Sequence, residues 1–464
     1  MTQTKHLQRY HIVYSLHIFK KGLIFCLVPL VQALLAFDLP SLYTALRQEA
    51  LILALLAALS LLVWRCTGWQ QDSDKLLLRA GVLVRRQRTV RRSELAVVEV
   101  ARPLWLRTMG AAKLTLYMAR SGAPGGGTVS LYLPRKAAES LAEELLPLPR
   151  HKPLFKPTGA AWLGFVMVSA NLISTGLLLW VSIQQTGELL GQDVTAPLWN
   201  NLDRLEQIAE AVLPAGLAWI FTVGFLLWGV SLMLSFFRTA GFTVGRSGGV
   251  ILCQGGFLSL TERRILAAAV TACDVRTTPV ARLLRMRPVY LSAGSYKGGD
   301  IPVLVYRKGH EHLLDALMPG FCMPPRRTEN IIGRSLPTFI IKSGLIFLVS
   351  FALTCVSAWK LPQITGLLAI PCALSAAAVL VAYEGFFMEG VSQNPGRTLG
   401  VQYCRAFTRH SMCIFTQNLS VRLYTTPFAE TVGRCNLTIG MPCGQKVTVR
   451  SMNHYRARHL PIVY

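Results

Sequence analysis

Residues 78–110 read LRAGVLVRRQRTVRRSELAVVEVARPLWLRTMG, and this stretch decides how the rest of the chain is parsed. Apolar runs at Val82–Val84 and Leu95–Val100, punctuated by Gly81 and Pro103, carry the short-period pattern of β-strands rather than the longer period of helix. Between them Arg85, Arg86, Arg88, Arg91 and Arg92 form a dense basic run. Downstream, Lys113–Met118 (KLTLYM) predicts another strand and Gly125–Gly127 a turn. Arg135–Leu145, with apolar residues three and four apart, predicts a short amphipathic helix that closes the unit.

The same order returns. A second copy runs through Gly248–Leu252, the polar Glu262–Arg263–Arg264, Ile265–Val275, PVARLLRM at 279–286, Val289–Ala293 and a helix over His310–Leu317. Proline to turn position spans seven residues in PLWLRTMG and in PVARLLRM. A third, degenerate copy has Arg405–His410, Leu419–Leu423, PFAETVG at 427–433, Leu437–Ile439 and a weaker helix over Ser451–Leu460.

Outside these units the chain is strongly apolar. It has 464 residues, 52% of them hydrophobic, and a mean hydropathy of +0.41, which exceeds what a soluble domain needs and points to a membrane protein. Six apolar segments fall into pairs: Leu23–Phe37 with Ala50–Trp64, Ala160–Ile183 with Ala211–Phe237, and Thr338–Trp359 with Leu361–Phe387. Each pair precedes one unit. The expected organisation is three transmembrane hairpins alternating with three strand-rich domains: hairpins at 1–68, 151–238 and 323–387, domains at 69–150, 239–322 and 388–464. Lys20 and Lys21 precede an apolar run without a small-residue cleavage site, so the opening reads as an uncleaved helix.

The formal charge of +25 suggests at first a nucleic-acid partner. Its distribution argues otherwise. Residues 65–158 hold 17 basic against 7 acidic side chains, 238–335 hold 14 against 6, and 384–464 hold 9 against 3, whereas 184–210 is acidic. The excess lies on one side of the expected spans, which the positive-inside rule assigns to the cytoplasm together with the N-terminus. The partners expected are therefore membrane lipids, anionic headgroups among them, and other membrane proteins, with no nucleic acid.

The order hairpin, RAGVLVRRQRTVRRSEL, PLWLRTMG, strand, helix resembles the bacterial pleckstrin-homology (PH) membrane proteins of the YdbS/YdbT type. The resemblance implies an α+β membrane protein of six helices in three hairpins, each followed by a PH-like bent antiparallel β-barrel with a C-terminal helix. It implies a cytoplasmic-membrane scaffold or accessory factor that binds headgroups or partner membrane proteins.

No enzyme is expected, and no cofactor or metal. Gly245, Ser247 and Gly249 match the G-x-S-x-G nucleophile elbow, but a strand rather than a helix follows, so a hairpin turn is favoured. His310 and His312, two apart on an expected helix, point away from each other and suit a solvated face better than a metal. The eleven cysteines form no CxxC pair and read as small hydrophobes. Arg85, Arg86, Arg88, Arg91 and Arg92 are the candidate headgroup-binding residues; a solvated strand face that only enforces orientation is the equal alternative. A transporter or channel subunit is the second functional reading, weakened because the spans hold few ionisable groups.

Overall fold

The structure is a computed structural model. It describes residues 8–20, 39–119 except 73 and 83, 127–148, 153–170, 204–205, 207–208, 211, 215–321, 336–360, 362–394, 398–416, 419–425, 427–431 and 433–460. It is a mixed α and β protein built from antiparallel sheets and long apolar helices.

In the first unit, β1 (Gln8–Arg9), β2 (Gly68–Gln71), β3 (Lys75–Ala80) and β4 (Arg86–Arg91) form one sheet in that order. Strands β5 (Leu95–Pro103), β6 (Ala111–Met118) and β7 (Thr128–Pro134) form a second, and the helix over Arg135–Leu145 closes the unit with the bounds expected. Leu76, Val90, Leu95, Val98, Val100, Leu114, Leu116, Leu131 and Leu133 meet Leu141 and Leu145 of that helix in one core. Val82 and Val84, expected in a strand, lie instead in the β3–β4 turn. Gly81 is the reason: its φ of +123° turns the chain so tightly that a Cβ would sit 2.0 Å from the Val84 carbonyl oxygen. The basic run is consequently the strand.

The second unit repeats the order with β8 (Pro153–Phe155), β9 (Thr243–Ser247), β10 (Val250–Gly255), β11 (Ser259–Leu266), β12 (Val270–Thr277), β13 (Met286–Ala293) and β14 (Leu304–Arg307), then a helix over His312–Leu317. His310 lies just outside that helix. The third unit has β15 (Gly390–Asn394), β16 (Thr398–Arg405), β17 (Thr408–Phe415), β18 (Ser420–Tyr424), β19 (Arg434–Gly440) and β20 (Lys446–Asn453), then a single turn of helix over His454–Arg458. Degenerate as its sequence is, its core of Val391, Leu399, Val401, Ile414, Leu437, Ile439 and Val449 is fully buried.

The units are joined edge to edge. The first unit's β5 pairs antiparallel with β11, making one seven-stranded sheet, and the second unit's β12 pairs with β17, making one of six. Edge strands carry unpaired backbone groups, and each junction satisfies two rows of them. The cores interlock as well. Leu95 and Val98 pack into the first unit's core, while Ala96 and Val97 pack into the second's; Ala272 likewise belongs to the third unit's core.

The helices, numbered in chain order, are α1 (13–20), α2 (Leu39–Arg65), α3 (Leu104–Thr108), α4 (Arg135–Leu145), α5 (Gly159–Ser169), α6 (Ala215–Thr239), α7 (Pro279–Leu283), α8 (His312–Leu317), α9 (Leu336–Lys360), α10 (Pro362–Met388), α11 (Pro427–Thr431) and α12 (His454–Arg458). Three among the described residues, rather than six, are long and apolar enough to cross a membrane, in the windows Thr222–Thr239, Phe339–Lys360 and Pro371–Met388. In α2 the described apolar stretch is Ala50–Arg65, and α5 contributes Gly159–Ser169. The expected span at 23–37 and the remainder of that at 160–183 lie outside the described residues. Helices α9 and α10 pack against each other as the expected third hairpin, with Ser350 and Ser375 hydroxyls 2.8 Å apart between them. Only 6% of the α9 window is buried by protein, so the helix presents a long exposed apolar surface, consistent with membrane association.

Candidate functional site: a cationic cleft at the helix ends

Strand register shows which end of each sheet lies beside the long helices. α2 ends at Arg65 and β2 begins at Gly68, which pairs with Arg79, which pairs in turn with Gln87. Arg79, Arg85 and Arg86 therefore sit level with the helix end, whereas Arg91 pairs with Lys75 at the far end and Arg92 follows it. Arg86 and Arg88 share the strand face of the buried Val90, and Arg91 lies on the other. The five arginines of the basic run are thus divided between two ends and two faces of one sheet. At about 3.4 Å per residue the two ends of β4 lie roughly 17 Å apart.

The β3–β4 turn between Arg79 and Arg86 exposes Val82 and Val84. Its counterpart in the second unit, the β10–β11 turn, is tied to α6: Gly256 N–H donates to the Ala240 carbonyl and Phe257 N–H to that of Phe237. This turn exposes Phe257 and Leu258, and Leu104 of α3 donates its N–H to the Leu258 carbonyl (2.9 Å), which adds the exposed Leu104 and Trp105 to the same rim. The β16–β17 turn presents Phe407 beside the exposed Leu283 of α7, held there by Arg282, which donates to the Phe407 carbonyl (2.8 Å). Three apolar turn tips therefore lie along the helix-end side, interleaved with arginines.

Between the second and third units the same side opens into a cleft of about 640 Å³ lined by Arg282, Arg285, Arg287, Lys308, Arg409 and His410, with Glu311 and Met388, the last residue of α10. Three carboxylates anchor part of this cluster. Glu384 of α10 accepts from Arg282 (2.6 Å) and Arg409 (2.7 Å), Glu311 accepts from Arg287 (3.1 Å), and Asp274 meets His410 Nδ1 at 3.0 Å and Arg276 Nε at 2.7 Å. Burial alone would raise the Asp274 carboxyl pKa, but the His410 hydrogen bond and charge, reinforced by Arg276, hold it below the usual range. Arg285 and Lys308 have no ion-pair partner among the described residues. Among the described residues, positive charge in the cleft therefore exceeds the carboxylates that pair with it.

Arg285 is the most informative residue. Its φ is +53°, in the left-handed region that L-residues avoid. In the first and third units the residue at this place, immediately before β6 and β19, is glycine: Gly110 (φ +67°) and Gly433 (φ +65°). The turn position of the second unit is therefore Arg285, six residues after Pro279, and not Met286 at seven. Proline-based alignment hides this because Pro103 is the residue before α3, whereas Pro279 is the first residue of α7. Where its two sister turns relax the backbone with glycine, the second unit keeps a strained arginine, and that arginine lines the cleft.

Ser247 ends β9, and Gly248 (φ +57°) turns the chain into β10, so the G-x-S-x-G match is a hairpin. His310 and His312 pack edge to face, 5.7 Å between ring centroids, and among the described residues no three His, Cys, Asp or Glu side chains converge as metal ligands do.

Against known proteins, no curated protein and no solved structure matches the chain. A family model described as "Bacterial PH domain" matches residues 25–148, the stretch that contains the first unit from β2 to α4. The first unit is therefore a PH-like domain, a class of module that binds lipids or proteins.

Proposed function

We propose that the protein is a non-enzymatic, multi-pass protein of the cytoplasmic membrane whose three β-units are all PH-like and lie against the inner leaflet. In this reading it binds anionic lipid headgroups in the cleft between the second and third units. The apolar tips Val82, Val84, Phe257, Leu258 and Phe407 enter the interface, and Arg65, Arg79, Arg85 and Arg86 meet the negative surface beside them. The observation that carries the proposal is Arg285, a charged residue kept in a glycine conformation at the wall of a cleft with surplus positive charge and an opening beside the end of α10. A phosphate-bearing headgroup supplies the missing counter-charge, and the arginines offer forked donors for its oxygens.

The test uses the full chain in neutral detergent, titrated with short-chain phosphatidylglycerol and, separately, short-chain phosphatidylcholine. Wild type should bind the anionic lipid in a salt-sensitive manner and ignore the zwitterionic one. Replacing Arg285, Arg287 and Lys308 by Gln removes three charges worth about 1 kcal/mol each, which weakens binding by roughly 100-fold. Equal binding of the two lipids, or of wild type and the triple variant, would sink the proposal.

A further inference from the structure

The two junctions between units share one backbone register. In the first, Ile265 of β11 faces Val97 of β5, and in the second, Ile414 of β17 faces Ala272 of β12. Val97 and Ala272 are each the third residue of their strand, so the registers coincide. Beyond that pair, the receiving strand offers a carboxylate to the incoming one. Glu99 bonds Arg263, directly opposite (3.1 Å), whereas Asp274 faces Met412, which stands in the place of Arg263, and bonds His410, two residues away on the incoming strand (3.0 Å). Glu99 and Asp274 are equivalent: each faces the fifth residue after the left-handed turn position, Thr115 after Gly110 and Tyr290 after Arg285.

Three units joined by two such contacts leave two half-junctions unfilled. One is the outer edge of β4 in the first unit, the other the outer edge of β18 in the third; among the described residues no strand pairs with either. Val90 and Arg88 of β4 stand where Ile265 and Arg263 stand in β11, counted back from the 3-10 turns at Arg92–Glu94 and Ala267–Ala269. On β18, Val421 and Leu423 face the third unit's own core, and Arg422, opposite Thr438, occupies the place of Glu99 and Asp274. Joining two copies of this chain in the established register would therefore set Arg88 against Arg422. Like charges directly opposite in a sheet destabilise the pairing.

We propose that the outer edge of β4 is a docking edge for the β5-type strand of a PH-like domain on a different polypeptide, one that carries a carboxylate at the position of Glu99. Arg88 reads that carboxylate as Arg263 reads Glu99, and the Arg88–Arg422 mismatch keeps copies of this chain from stacking end to end. The surplus of unpaired backbone groups supplies attraction, and the charge at one position selects the partner.

Charge reversal turns the chain into its own partner, which makes the idea testable without knowing the natural one. Wild type, Arg88→Glu/Arg422→Glu and the single variant Arg422→Glu are purified as full chains in neutral detergent. Mass is followed by light scattering against concentration. Wild type alone and the double variant alone should keep a constant mass, because their edges carry like charges. Their equimolar mixture should grow into head-to-tail oligomers that dissolve in high salt, and Arg422→Glu alone should do the same. A mixture no heavier than its components, with Arg422→Glu also unchanged, overturns the docking edge. Wild type that grows with concentration as the mixture does overturns the charge selection.

Discussion

Replacing Arg285 by glycine should make the protein more stable and a poorer binder. A left-handed backbone costs a non-glycine residue about 1–2 kcal/mol, and Arg285 adopts φ +53° where its counterparts are glycines. Against that relief stands the greater freedom of glycine in the unfolded chain, about 0.5–1 kcal/mol. The Arg285 side chain forms no ion pair among the described residues, so little else is lost on folding. The net expectation is a gain of roughly 0.5–1 kcal/mol, or about 1–4 °C in Tm if the second and third units melt together as a block of some 150 residues or more. Affinity for short-chain phosphatidylglycerol should fall about fivefold, the equivalent of one charge worth about 1 kcal/mol beside an anionic headgroup. Arg285→Ala separates the two effects, since it loses the charge and keeps the strain: it should bind as weakly as the glycine variant without its gain in Tm. Scanning calorimetry and lipid titration on the same preparations give both numbers. A glycine variant that melts below wild type, or that binds with unchanged affinity, would refute the claim that strain is held there for the sake of the side chain.

Two further outcomes follow from the junctions. Asp274→Asn leaves Arg276, whose side chain is only 24% exposed, without its carboxylate, and should destabilise the block of second and third units by about 3 kcal/mol as judged by denaturant unfolding. Because the folded-state pKa of Asp274 is depressed, its contribution is fully present above the unfolded value near 4 and is lost as pH falls through the lower folded value; the gap between variant and wild type should hold from pH 5 to 8 and close only below pH 4. Gly294→Ala places a Cβ 2.1 Å from the Met118 carbonyl oxygen and 2.9 Å from Ala96 Cβ at a residue with φ +51°, so separation of the first and second units should become easier by roughly 2 kcal/mol or more, read as faster amide exchange along β5 and β11.

Much of the architecture is local and so was written in the sequence. The helix Arg135–Leu145 is announced by its apolar spacing, the Gly248 turn by a following strand, and the α9–α10 hairpin by two apolar runs with Lys360 and Pro362 between them, because each depends on neighbours within a few residues. Four consecutive buried residues, Leu95 to Val98, also carry a trace of what was missed: a strand that hides both faces must have protein on both. Which protein covers the second face was not legible. Pairing of β5 with β11 joins backbone groups about 160 positions apart in sequence, and backbone hydrogen bonding has no residue code to read. Nor was the cleft, since Arg285 and Arg409 come from different units and converge only because β12 and β17 share an edge. Sequence alone located three of the apolar helices it proposed, α6, α9 and α10, and the order of the basic strand-rich units. Tertiary structure decided which edges meet, which arginine is strained, and where the unneutralised charge collects, because those depend on contacts between elements that no local period encodes.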